Sequence, residues 1–150
     1  MAIKAVIDTN IWVSALLNPH GYPAQLRKAF EAGFFLPVVS APMLEEMIDV
    51  LNRPRIKDKY DLTSEEIEAL VILIEERSEH VLLEGKIAVC RDKDDDMILE
   101  TALNGKAKYL VTRDDDIKFD KQVSSFLKQY DISVKTVAQF MDALNIRSTK

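Results

Sequence analysis

Tyr109-Leu110-Val111-Thr112 runs straight into Arg113-Asp114-Asp115-Asp116. An aromatic, two aliphatic residues and a threonine closed by a polar run read as a buried strand whose carboxyl end delivers acids. The chain opens the same way, with Ile3-Lys4-Ala5-Val6-Ile7 stopping at Asp8-Thr9-Asn10. Further strands are expected over Phe34 to Val39, Lys86 to Val89 and Ile132 to Val134. Helical signals fill the spaces between them. Ile11 to Leu17 is helix-compatible, Asn18-Pro19-His20-Gly21 breaks it, and a helix follows from about Pro23 to Ala32, closed by Gly33. Ser40 stands where a cap is needed, and Leu44, Met47, Ile48 and Leu51 then form an apolar stripe that Pro54 ends. Thr63-Ser64-Glu65-Glu66 is a capping box before the stripe Ile67, Leu70, Val71 and Ile74. Asp94 or Asp95 opens a helix through Leu103, stopped by Asn104-Gly105, and a last helix runs from about Val137 to Leu144. Strands alternating with helices at this pitch predict an α/β fold whose mainly parallel sheet is covered on both faces.

Composition narrows the function. The 150 residues, 47% hydrophobic and 30% charged, suit one domain spanning 1–150. No apolar run is long enough to cross a membrane, and no leader with a cleavage site opens the chain, so a soluble cytoplasmic protein is expected. A single cysteine, Cys90, excludes a disulfide framework and a thiolate zinc site. Cys90 is read as a buried strand-end residue without a basic activator. Four glycines leave no phosphate-binding glycine loop, and a net charge of −5 argues against a protein that coats nucleic acid by its own cations.

The acids are where chemistry is expected. Asp8 and Asp114 follow separate strands, and in open parallel sheets the carboxyl ends of strands form the ligand crevice. Asp92, Asp94, Asp95 and Asp96 gather at a helix start. Aspartates there cap free amides and complement the helix dipole, each for about 0.3–1 kcal/mol, but one or two suffice. If these groups meet, each like-charged pair at about 4 Å costs about 1 kcal/mol in water and about 4 kcal/mol at an effective dielectric of about 20. A cation relieves that repulsion. Carboxylate donors select Mg²⁺ or Mn²⁺; zinc would have only His20 and His80, and the acidic run lacks the glycine of a calcium-binding loop. Glu46 adds a fourth acid, with Met43 and Val50 as helical neighbours, which places it at an apolar boundary, whereas Glu45 shares its row with Asp49. Asp8, Glu46, Asp96 and Asp114 account for four of the five net negative charges. Divalent ions held there would carry the protein to a polyanion, stabilise developing charge and activate water, which suits phosphodiester hydrolysis.

The same residues resemble a family. Val6-Ile7-Asp8-Thr9-Asn10 with Ser14 resembles the opening of PIN-domain nucleases, and Ser40 with Glu46 and Met47 resembles their second acidic motif. Asp96-Met97-Ile98-Leu99 resembles the third, and Leu110 to Asp116 the fourth. Four motifs in order span about residues 4 to 142, and the nearest likeness is to stand-alone toxins of toxin–antitoxin pairs. The resemblance implies a three-layer α/β/α sandwich, endoribonuclease activity dependent on one or two Mg²⁺ or Mn²⁺ ions, a homodimer, and a small antitoxin partner. It implies metal ligation and catalysis by Asp8, Glu46, Asp96 and Asp114, with Asp116 as a further ligand and Asn10 and Thr112 as polar support. Asp94 and Asp95 remain alternatives for the third place.

Two features stand outside these motifs. The basic stretch Arg53-Pro54-Arg55-Ile56-Lys57-Asp58-Lys59 reads as a solvated loop or as a contact for RNA phosphates. Trp12 reads as a core or interface aromatic before a base-stacking one. Two rival readings are a receiver-like phosphoacceptor domain, for which only Lys135 is suggestive, and a catalytically silent PIN-fold interaction module.

Overall fold

The computed structural model describes residues 3–85, 87–90, 93–113, 117 and 120–148. At its centre lies a five-stranded sheet of β1 (Lys4–Ile7), β2 (Leu36–Ser40), β3 (Glu79–Val81), β4 (Tyr109–Val111) and β5 (Ser133–Lys135). The strand order is β3-β2-β1-β4-β5 and every pairing is parallel. Ala5 is registered between Pro37 and Tyr109, and Ile7 lies beside Val111. Pro37 has no N–H to give, and β3 pairs with β2 only from Val38 onward, so the missing donor falls outside that ladder. The order is not the 2-1-3-4-5 arrangement of flavodoxin-like receivers, which removes the phosphoacceptor reading.

The helices bounded among the described residues are α1 (Thr9–Leu17), α2 (Tyr22–Glu31), α3 (Ala41–Asn52), the single turn α4 (Pro54–Lys57), α5 (Ser64–Arg77), α6 (Lys93–Asn104), α7 (Lys121–Gln129) and α8 (Val137–Ser148). Alternation along the strands sorts them into two layers. Ala5, Ile7 and Val111 face a core built with α1, α2, α3, α5 and α8, in which Trp12, Phe30, Phe35 and Phe140 pack edge to face or tilted. Val6, Val38 and Leu110 face the opposite way, onto α6 and α7. The sheet covered on both faces that the pattern predicts, and the three-layer α/β/α sandwich that the resemblance implies, are therefore present, and Trp12 is a core residue, 3% exposed. Gly105 ends α6 against the sheet, where an added Cβ would collide with Val38 Cγ1. A close approach, not a left-handed backbone, requires glycine there.

Three local expectations are corrected. Among the described residues of the segment expected as a strand from Lys86 to Val89 there is none; the edge strand is instead Glu79–Val81, directly after α5. The amides around that segment bond to carboxylates of α6, not to a neighbouring strand. The helix α7, capped by Asp120 through the amides of Gln122 and Val123, was not anticipated. Ser40 does precede α3, yet its hydroxyl caps nothing: it is fully buried and meets Thr101 Oγ1 at 2.9 Å. Thr101 already donates to the Met97 carbonyl at 2.7 Å, so Ser40 is the donor, and the pair ties α6 to the end of β2.

Candidate active site

The strand order reverses between β1 and β4, and in open α/β sheets that switch point is where ligands bind. Asp8 occupies it. Its amide donates to the Val111 carbonyl at 3.0 Å, and its side chain, 6% exposed, caps α1 by accepting a long 3.4 Å bond from the Asn10 amide. Thr112 Oγ1, fully buried at the end of β4, donates to Asp8 Oδ2 at 2.8 Å. The polar support expected from Thr112 is thus a direct bond, whereas Asn10 acts through its backbone and its side chain is exposed.

A cleft of about 500 Å³ opens beside Asp8. Asn10 and Ser14 line it next to the acid, Val13, Val50 and Ile56 give it an aliphatic surface, and Arg53, Arg55 and Arg113 ring it. Arg113 is held by the Ser14 hydroxyl at 2.6 Å, and Arg53 pairs with Asp49 at 2.9 Å across one helical turn. The basic stretch read as a solvated loop or a contact for RNA phosphates includes the short helix α4, and its two arginines line the same cleft as Asp8. Glu46 is half-buried on α3 but does not line that cleft. Asp114 and Asp116 lie outside the described residues.

The acids at the start of α6 divide between two faces. Asp96, 8% exposed, accepts at one oxygen from the amides of Val89 and Cys90 at 2.9 and 2.8 Å. One turn on, Glu100 accepts from the amides of Glu84 and Gly85. Both carboxylates hold the segment after β3 and line a second cleft of about 600 Å³ with Pro42, Leu83 and Met97. Asp95, also buried at 7% exposure, stands about 100° round the helix from Asp96. Its helical row continues through Ile98, Leu99 and Ala102, which pack onto Val6 and Leu110 of the sheet. Cys90 lies beside this group, half-buried in a loop and not in a strand. Burial, then the charge of Asp96 and a hydrogen bond to it, with Asp95 and Asp120 beyond, push its thiol up to about 12.

Among the described residues no three acidic, imidazole or thiol side chains converge closely enough to hold an ion. The donors that are described nevertheless suit an oxygen-loving cation. Among the described residues, Asp8 has one carboxylate oxygen fixed by a hydroxyl and the other bound by a long amide contact, which leaves acceptor capacity toward the cleft. No imidazole lines either cleft: His80 bonds to the Glu75 carbonyl and His20 is exposed. Sequence reasoning passed over Glu100 as a loop anchor, although its place four residues after Asp96 put it on the same face. It read Arg53 and Arg55 as a solvated loop or a contact for RNA phosphates but did not place them beside Asp8, because only the turn at Pro54 brings them there.

Residues 4–116 match the family model of the PIN domain. The chain is also 31% identical over 135 residues to the uncharacterized protein MJ1680 of Methanocaldococcus jannaschii, covering 89% of this chain and 84% of that one.

Proposed function

The chain belongs to the PIN-domain family, a family of nucleases that typically use divalent metal ions, and from that premise we propose that it is a metal-dependent endoribonuclease. The observation that carries the reading is Asp8: a buried carboxylate at the switch point, oriented by Thr112, at the end of an arginine-ringed cleft. Asp8, Glu46 and Asp114 would hold Mg²⁺ or Mn²⁺, as one ion or two, with Asp116 as a further ligand. For the remaining place Asp95 is preferred to Asp96. Asp96 is turned to the loop with one oxygen engaged by two amides, while Asp95 lies on the row that faces the sheet. When bound, the ion supplies charge neutralisation for a phosphate and a lowered pKa for water.

The chain's own residues do the rest. Thr112 fixes the rotamer of Asp8, so that the carboxylate would take up an ion without reorganising. The arginines balance the substrate's charge against the acids, which lets a protein of net charge −5 approach RNA. A role as toxin in a toxin–antitoxin pair, with a small antitoxin partner and a homodimer, extends the proposal on the strength of the sequence resemblance.

The test is purified protein with RNA in Mn²⁺, in Mg²⁺ and in EDTA, alongside Asp8→Asn and Asp95→Asn. Cleavage that needs metal and fails in both variants supports the reading. Metal-independent cleavage, or full activity in folded Asp8→Asn, overturns it.

A further inference from the structure

The helix α6 meets β2 at two points one helical turn apart. Gly105, just past its end, lies so close to Val38 that a Cβ there would collide with Cγ1, and Thr101 Oγ1 meets Ser40 Oγ at 2.9 Å. Four residues of helix rise about 6 Å and two residues of strand about 6.6 Å, so the two contacts fall at matching spacings, with helix and strand running in opposite directions. Followed back toward its start, α6 passes the last residue of β2, and Asp95 stands about 9 Å beyond Thr101 along the axis. Ser40 is itself followed at once by α3, the helix that carries Glu46. The hydroxyl pair therefore joins the two elements that bring Glu46 and Asp95 to the carboxyl side of the sheet.

Both residues are fully buried, and Thr101 also donates to the Met97 carbonyl at 2.7 Å. A buried hydrogen-bonded pair adds little net stability over apolar groups of the same shape, because desolvation offsets most of the bond. What the pair supplies is direction. The neighbouring contact of α6 with Met43, Val6 and Leu110 is aliphatic, and such a surface sets no preferred register along the helix axis. Asp96 and Glu100 tie α6 to the loop after β3, not to the sheet. A hydroxyl–hydroxyl bond tolerates only a narrow range of distance and angle. We infer that Ser40 and Thr101 are positioning residues for the ion: their bond fixes the axial register of α6 against β2, and with it the place of Asp95 relative to Asp8 and Glu46. The inference rests on the metal-dependent reading above, and neither hydroxyl is itself a ligand, since each is engaged by the other.

Mn²⁺ affinity is read by calorimetry, at a temperature where every variant is folded, and stability by urea unfolding. Ser40→Ala leaves Thr101 its bond to Met97, so it should unfold close to normally while binding Mn²⁺ on the order of tenfold more weakly, the low end of the loss when support behind a ligand is removed. Thr101→Val leaves the Ser40 hydroxyl buried without its acceptor and should lose both stability and affinity. Ser40→Ala combined with Thr101→Val removes both polar groups, so stability should return while the affinity stays low. Thr101→Ser keeps the hydroxyl but not the methyl and should do the reverse, with a lower urea midpoint and near-normal affinity. The Mn²⁺ concentration that gives half-maximal RNA cleavage should rise in step with the calorimetric constant. A purely structural pair would make affinity follow stability. A double variant that regains both, or a Ser40→Ala variant with unchanged Mn²⁺ affinity, therefore overturns the inference. The two readings fail distinguishably. A natural sequence that binds no Mn²⁺ removes the metal-dependent reading and this inference with it, whereas natural affinity in the variants that lack the pair removes this inference alone.

Discussion

Asp8 and Glu100 are buried to almost the same degree, 6% and 5% exposed, and each stands at the carboxyl side of the sheet. Their surroundings divide them. Glu100, with Asp96 a turn away, takes four backbone amides from the segment after β3, a stretch with no strand among its described residues to satisfy those donors. Backbone amides outside a strand or helix need acceptors from elsewhere, and here the two carboxylates provide them. Among the described residues Asp8 receives one hydroxyl and one long amide bond, and it lines a cleft with three arginines. Burial alone therefore does not mark a functional acid. The count of donors already satisfied separates the carboxylate that braces the chain from the one left open to a ligand.

The sharpest way to break that contrast is to remove charge at the open end. Asp8→Asn keeps one acceptor oxygen, which can take the Thr112 hydroxyl, and gives up the long 3.4 Å cap from the Asn10 amide, so the thermal midpoint should fall only slightly. Cleavage should fall by at least about a hundredfold, the scale on which loss of a positioned catalytic group is felt. A variant that melts early and loses activity in proportion would make Asp8 another brace.

At the other end, Glu100→Ala strands the amides of Glu84 and Gly85. Glu84 and Gly85 are exposed, so water can take up their amides, and the expected loss in urea unfolding is that of the charge-assisted bonds, about 2 kcal/mol. Glu100→Gln, which retains an acceptor oxygen, should lose less. Both should cleave RNA at near-normal rates under conditions where they remain folded. Normal stability with abolished cleavage in Glu100→Gln would move this acid into the chemistry and dissolve the contrast.

Asp96→Asn sharpens it further. The amide oxygen can still accept from Val89 and Cys90, but without charge, so roughly 1–2 kcal/mol should be lost with cleavage largely kept. If Asp96→Asn instead weakens Mn²⁺ binding by calorimetry while Asp95→Asn does not, the preference for Asp95 as the third ligand is reversed.

How much of this was legible in the sequence follows the same division. The strand ends at Asp8 and Thr112 could be read because a buried parallel strand is a run of apolar residues with an abrupt polar stop, and the two residues do bond to each other. The segment after α5 could not. Ile87-Ala88-Val89 looks like a strand by composition, yet the Val89 amide is taken by Asp96, and the true edge strand, Glu79-His80-Val81, is three residues with little apolar character. Such a strand is defined by what it lies beside, which local pattern does not record. Ser40 failed as a cap for a related reason: Thr101 of α6 packs onto the end of β2 and takes its hydroxyl. Arg53 and Arg55 were legible as charge but not as place, since their approach to Asp8 depends on the turn between α3 and α4 at Pro54.

Thr63 gives the contrast its baseline, because it lies in a motif whose reading needed no tertiary information. Thr63 Oγ1 accepts from the Glu66 amide at 3.0 Å and Glu66 Oε1 accepts from the Thr63 amide at 3.3 Å, the reciprocal pair of a capping box. The residues are exposed, so neither desolvation nor a buried unsatisfied group enters. Thr63→Ala should therefore cost about 1 kcal/mol, seen as a shift of roughly 2–4 °C in thermal midpoint for a chain of this size, with cleavage per folded molecule unchanged. Glu66→Gln keeps the side-chain acceptor and should cost less. A Thr63→Ala loss as large as that of Glu100→Ala would mean that α5 transmits its cap to the sheet through Leu70 and Ile74, both fully buried, and that local motifs in this fold are not local in energy.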